Sequence, residues 1–330
     1  MSPRIVLLGC AQDAGLPQLG CDCRQCNYAR SHPEFKDAMV ACLGIVDEEE
    51  GKVFLVDATP NLRSQLWSMQ HFERKDGSNR PLELGGILLT HAHTGHYTGL
   101  LQLGKEEADM RDVPVFCTPR MASFLRNNQP WAQLTERGNI SIRETNPAIG
   151  GSDSGGAIRL TSAVSALPVD VPHRAELADT VAYLISITQP SAQHVIVDRA
   201  AALSPFDEVE SKNGRSGESA PTMNLFYCPD TDGWSGWRRS IQDWCEEVDV
   251  ALLDATFYDK QELKGRDMSE VSHPIVKDTM KELADCKAEV VLVHLNHTNP
   301  LFAMDSSERA QTLAAGFVVG TFGMEWTLPN

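Results

Sequence analysis

Three histidines crowd into six positions of the segment ILLTHAHTGHYTGL, residues 87–100: His91, His93 and His96. Only ten histidines occur in the 330-residue chain, so composition does not account for the crowding. Neutral imidazole is the commonest metal-ligating side chain. Catalytic zinc centres typically use three protein ligands and keep one position open. If His91 and His93 extend a strand, their side chains point to the same side. Gly95 then permits the tight turn that returns His96 to them. The chemistry to expect is metal binding with a position left open for a water.

A second cluster lies near the N-terminus. Cys21, Cys23 and Cys26 place three thiols in six positions. In a reducing compartment that spacing reads as a structural zinc site, and a redox pair of Cys23 and Cys26 is the competing reading. Cys10, Cys42, Cys117, Cys228, Cys245 and Cys286 are scattered, mostly in apolar context, and read as small buried hydrophobes. An odd total of nine does not suit a disulfide framework. A cytoplasmic location is expected.

The elements that must position these groups alternate between strand and helix. Arg4–Gly9 is a short apolar run ending in glycine, which suits a buried strand. Ala41–Val46 and Val53–Val56, separated by the acidic turn Asp47–Gly51, read as a hairpin. Helical spacing marks Asn61–Phe72, and helices are also expected after Gly99 and over Arg120–Arg126. Gly86–Leu89 is a strand running into His91, and Val113–Cys117 is another. Strands are expected over Ile158–Ser165 and Val181–Thr188, after a Gly/Ser-rich turn at 150–156. Met223–Tyr227, Val250–Leu253 and Val290–Val293 each lead into a polar residue: Asp230, Asp254 and His294. Helices over Ser235–Cys245 and Pro274–Cys286 lie between them. Residues 211–221 carry no apolar anchor and read as a mobile surface loop. The alternation argues for an α/β architecture.

Composition excludes some roles. Hydrophobic residues make up 42%, which rules out wholesale disorder. Asp+Glu total 45 against 29 Lys+Arg, a net charge of −16, which suits nucleic acid poorly as a partner. No apolar stretch reaches the ~18 residues of a membrane span. The expected partner is a small molecule or short peptide, and a homodimer is compatible with the sequence.

THAHTGH resembles the H-x-H-x-D-H signature of the metallo-β-lactamase superfamily. Asp57 before it, and His173, Asp230 and His294 after it, appear in that family's order, each just after an apolar run. Within the superfamily the chain is most similar to the pyrroloquinoline quinone synthesis protein B group. It also resembles the cyclic phosphodiesterase of the carbon–phosphorus lyase pathway. LGCAQDAGLPQLGCDCRQC, VDATPNLRSQL, LTHAHTGHYTGL and GFVVGTFGMEW carry the likeness. The resemblance implies one α/β domain over 1–330, a four-layer αββα sandwich with a zinc loop at about 10–30. It implies a cleft metal set of His91, His93, His96, His173, Asp230 and His294, with Asp57 as a structural acid. Asp230 is preferred to Asp232 as the carboxylate between two metal positions. His297, three residues past His294, is implied as the fourth ligand of the thiolate zinc.

Gly95 stands where the signature has aspartate, so one cleft ion is expected, with a second position weak or empty. Zinc, manganese and iron all suit the cleft. The implied activity is that of a metal-dependent hydrolase of a phosphodiester or other small ester. Asp230 would orient a water, and His273 or His294 would protonate the leaving group. A non-haem iron oxygenase tied to quinone-cofactor maturation and a non-catalytic metal carrier are the alternatives. Arg63 and Arg174 are weaker candidates for anion contacts.

Overall fold

Strict alternation along the first strands sets the layers. Ile5 and Leu7, Leu43 and Ile45, and Phe54 and Val56 face one core, while Val6 and Leu8, Cys42 and Val46, and Val53 and Leu55 face another. A strand buried on both faces needs apolar residues at successive positions. Each such aliphatic side chain stabilises the fold by roughly 1.5–3 kcal/mol. The computed structural model describes residues 2–32, 38–70, 81–149, 156–189, 221–262 and 272–328. The expected turn at 150–156, apart from Gly156, and the expected loop at 211–221, apart from Pro221, lie outside them.

Fourteen strands are formed among the described residues. They are β1 (Arg4–Gly9), β2 (Cys42–Asp47), β3 (Lys52–Val56), β4 (Glu83–Leu88), β5 (Val113–Cys117), β6 (Ile140–Glu144), β7 (Ile158–Arg159), β8 (Val164–Asp170), β9 (Val181–Thr188), β10 (Thr222–Cys228), β11 (Val250–Asp254), β12 (Glu289–Val293), β13 (Val318–Val319) and β14 (Glu325–Thr327). One sheet runs β14-β1-β2-β3-β4-β5-β6 and the other β7-β8-β9-β10-β11-β12-β13. Read in those directions, each sheet begins with three antiparallel pairings and ends with three parallel ones. The halves thus repeat a topology that their sequences do not display.

Helices cover the outer faces. Leu62 and Met69 of the helix Leu62–Gln70, with Met121 and Leu125 of the helix Pro119–Asn127, pack on the first sheet. Ile241 and Trp244 of the helix Ile241–Glu246, with Val276 of the helix Val276–Glu282, pack on the second. The result is the expected four-layer α/β sandwich.

Several elements depart from the sequence reading, and the expected helix Pro274–Cys286 forms only over Val276–Glu282. Ile158–Ser165 is not one strand: the Thr161 hydroxyl accepts from Ala163 N and Val164 N and turns the chain between β7 and β8. Helix Ser235–Cys245 starts late, at Ile241, where Ser240 accepts from Asp243 N as its cap. Gly233 and Gly236 upstream adopt positive φ, which a helix does not allow. After Gly99 the chain forms a 3₁₀ turn, Thr98–Leu103, rather than a longer helix.

Candidate metal centres

In open α/β sheets, ligands gather at the carboxyl ends of parallel strands. Asp57 follows β3, His91 follows β4, Asp230 follows β10, Asp254 ends β11 and His294 follows β12. These five ends meet in one polar cleft. Asp57 and His294 have positive φ, 74° and 60°, a strained setting for residues with side chains.

One group is His91, His93, His173 and Asp230. Asp230 Oδ2 is 3.1 Å from His91 Nε2 and 3.2 Å from His93 Nδ1, and Oδ1 is 3.2 Å from His173 Nε2. His173 Nε2 is 3.5 Å from His93 Nδ1. Donors ~2.0–2.1 Å from a tetrahedral ion stand about 3.3–3.4 Å apart. His91 Nε2 and Asp230 Oδ1 are buried without a hydrogen-bond partner, an expensive arrangement unless a cation lies between them.

The opposite ring nitrogens are occupied. The Thr90 hydroxyl donates to Asp57 and therefore accepts from His91 Nδ1–H at 2.9 Å. Asp232 Oδ1 accepts from His173 Nδ1–H at 2.9 Å. Asp57 Oδ2 accepts from His96 Nδ1–H at 2.7 Å. The Thr256 hydroxyl donates to Asp254 Oδ1 and so accepts from His294 Nδ1–H at 2.9 Å. Each bond leaves the Nε2 lone pair pointing into the cleft, the arrangement that orients imidazole ligands. Asp230 stands in the cleft, and Asp232 holds His173 from behind.

Burial acts first on the charges here. It pushes the His91 pKa well below the usual imidazole value, which keeps the ring neutral. It also opposes the charge of Asp230, yet His273 and His294 outweigh it and hold that carboxyl well below the carboxylate range. His273 Nδ1 lies 2.8 Å from Asp254 Oδ2 and 3.2 Å from Asp230 Oδ1. Burial lowers its pKa, but Asp254 and Asp230 raise it more, to about 9.

A second group, Asp13, His96 and His294, adjoins the first. His96 Nε2 is 3.4 Å from His294 Nε2 and 3.2 Å from Asp13 Oδ1. The single-ion expectation rested on the lack of a carboxylate here, and Asp13 removes that premise. The sequence reading missed Asp13. Its only signal was one acid in the otherwise uncharged stretch Gly9–Gly20 that follows a buried strand. Asp254, Thr90 and Thr256 were also given no role, although Asp254 was seen to end its strand.

The thiolate group is Cys21, Cys23, Cys26 and His297. All three Sγ atoms lie 3.5 Å from His297 Nδ1. Three equal sulfur–nitrogen distances are what a tetrahedral Cys₃His ion requires. Elsewhere, burial pushes the Cys10 and Cys117 thiols up to about 12, as suits inert core residues. Arg63 does not join the cleft but lines an outer groove with Trp67 and Phe322. Arg174 is half exposed beside His173, and its charge is felt at His273.

The loop carrying His294 and His297 rests on Glu262, which hydrogen-bonds Thr298 and accepts from Tyr258 N at 2.8 Å. Burial raises the Glu262 pKa from 4.5 to about 7. Between those values the folded chain binds the proton that the unfolded chain has released, so stability falls as pH rises. Glu262→Gln is expected to flatten this decline, read as melting temperature from pH 5 to 7. An unchanged slope would refute the assignment.

The β-lactamase superfamily domain family matches residues 52–195 and 217–297, more than half of the chain. The chain belongs to the β-lactamase superfamily. Coenzyme PQQ synthesis protein B of Stutzerimonas stutzeri is 26% identical over 331 residues, covering 97% of this chain and 98% of that protein. The Klebsiella pneumoniae protein of the same name is 27% identical over 338 residues, covering 99% and 98%. The crystal structure of zinc-bound PqqB from Methylobacterium extorquens superimposes with a TM-score of 0.69 at 19% identity, covering 98% of this chain and 100% of that one. A diphosphatase of the PhnP family gives 0.61 at 17% identity, covering 100% and 99%. At these identities the structural matches speak to fold alone. No helix among the described residues is long and apolar enough to cross a membrane.

Proposed function

We propose that this superfamily member is a metal-dependent hydrolase of a small phosphodiester or related ester. The observation that carries the reading is the convergence of His91 Nε2, His93 Nδ1, His173 Nε2 and Asp230, with two buried ligand atoms that make no hydrogen bond. A divalent ion held there would lower the pKa of a bound water toward ~7, supplying hydroxide at neutral pH. Asp230 faces the same space and can orient that water and accept its proton. His294 has both nitrogens engaged, Nδ1 with Thr256 and Nε2 facing His96. His273 is therefore the acid: Asp254 and Asp230 hold it charged through Nδ1, which leaves Nε2–H for the leaving oxygen. Arg174, at the rim, suits an anionic substrate. Thiolate zinc at Cys21, Cys23, Cys26 and His297 would be structural.

The likeness to PQQ synthesis protein B favours testing an oxygen-dependent reaction in parallel. Zinc- or manganese-loaded protein is expected to cleave bis-p-nitrophenyl phosphate or a 2′,3′-cyclic nucleotide under strict anaerobiosis. Turnover that requires oxygen would overturn the hydrolase in favour of the iron oxygenase.

A further inference from the structure

No side chain at position 95 reaches the cleft, yet the space it would take is filled. A Cβ built on Gly95 would stand 2.6 Å from Asp13 Cα and closer still to Asp13 Oδ1. An aspartate at position 95 and Asp13 in its present place exclude each other sterically. We propose that Asp13, from the N-terminal loop, is a metal ligand that completes with His96 and His294 a second cation position beside that of His91, His93 and His173. The proposal deepens the metal-centre reading and rests on it.

Three observations support the assignment. Asp13 Oδ1 lies 3.2 Å from His96 Nε2 and 3.9 Å from His294 Nε2. It is buried and has no hydrogen bond of acceptable geometry, so it approaches both rings as one donor among three. The two imidazoles can turn Nε2 to a cation, because Asp57 and Thr256 accept from their Nδ1–H groups. Asp230 Oδ2 reaches both positions, 3.1 Å from His91 Nε2 and 4.0 Å from His294 Nε2. Two nitrogens and two carboxylates make an ordinary donor set for zinc or manganese.

The backbone presets Asp13. Ala11 bridges both Val40 and Leu295, the neighbour of His294. Gln12 N donates to Leu295 O and Leu295 N to Cys10 O, each at 2.8 Å. The ligand on the N-terminal loop and the ligand on the C-terminal loop are therefore held in one register before any ion arrives. Gly95 is what lets the loop come so close.

Elemental analysis of zinc-equilibrated, desalted protein tests this without reference to activity. The native chain is expected to hold three zinc ions, two in the cleft and one with the thiolates. Asp13→Ala and the isosteric Asp13→Asn should each hold two. The affinity of the lost ion should fall by at least about tenfold, the smaller loss seen when groups that merely orient ligands are removed. Thiol titration should show Cys21, Cys23 and Cys26 still protected in both variants. A native chain with one cleft ion would overturn the proposal, and so would variants that keep all three at native affinity. Loss of the thiolate zinc together with the cleft ion in both variants would also overturn it, because Asp13 would then only hold the loop. A native chain that binds three ions but hydrolyses nothing would sink the hydrolase and leave this inference standing.

Discussion

His93→Ala is expected to abolish turnover and to strip the cation held with His91 and His173, while the thiolate zinc stays. His93 Nδ1 lies 3.2 Å from Asp230 Oδ2 and 3.5 Å from His173 Nε2, inside the ligand group. Its side chain is 20% exposed, so truncation opens no core cavity and the fold should survive. Without the ion, a water in the cleft returns toward a pKa of ~15.7 and ceases to be a nucleophile at neutral pH. The loss should be about a thousandfold or more in kcat/KM, or ~4 kcal/mol of barrier. Asp230→Asn is the informative contrast. Its amide oxygen can still orient, but it accepts no proton, so turnover should fall further than metal content. Parallel kinetics and elemental analysis separate the two variants. Activity surviving in His93→Ala would reduce the cleft to a binding site.

Much of this was legible because the cleft residues sit where strands stop. His91, Asp230 and His294 each follow an apolar run, and a polar residue at such a boundary stands out. The same logic gave most strands their limits: β1, β5 and β9 match the sequence reading residue for residue. Asp13 was not legible, because its importance comes from close backbone approach. Nothing local relates the loop after β1 to Gly95; the bridges from Ala11 to Val40 and to Leu295 set where that loop runs. Asp230 was preferred to Asp232 on the family motif, and the hold of Asp232 on His173 was not foreseen. Two aspartates in PDTDG are equivalent as text, and the turn after β10 decides which one faces the cleft. Thr90 and Thr256 escaped notice because a hydroxyl that relays orientation from a carboxylate to an imidazole carries no spacing rule. The split of Ile158–Ser165 has the same origin, since Thr161 suits a strand by propensity and a turn by its hydroxyl.

Cys23→Ser is expected to release the zinc held with His297 and to lower the melting temperature. The substitution isolates the metal's contribution for a specific reason. Cys23 is also the N-cap of helix α1 (Arg24–Ser31), where its sulfur accepts from Cys26 N at 3.5 Å. Serine is among the best N-cap residues, so the helix start keeps its acceptor when sulfur becomes oxygen. What is lost is a thiolate ligand, and a structural ion's binding energy is partly folding energy. A zinc held there would tie Cys21, Cys23 and Cys26 to the His294–His297 segment, so its release would free the N-terminal loop from the C-terminal half. With an unfolding entropy of ~2.1 cal/mol/K per residue, a loss of ~3 kcal/mol lowers the midpoint of a chain this long by about 4 °C. Cys10→Ser is the control, because Cys10 is buried outside the zinc group and its replacement should cost stability without releasing zinc. Thermal melts paired with zinc analysis read both effects. Full zinc and an unshifted melt in Cys23→Ser would show that the three thiols and His297 come together without holding an ion.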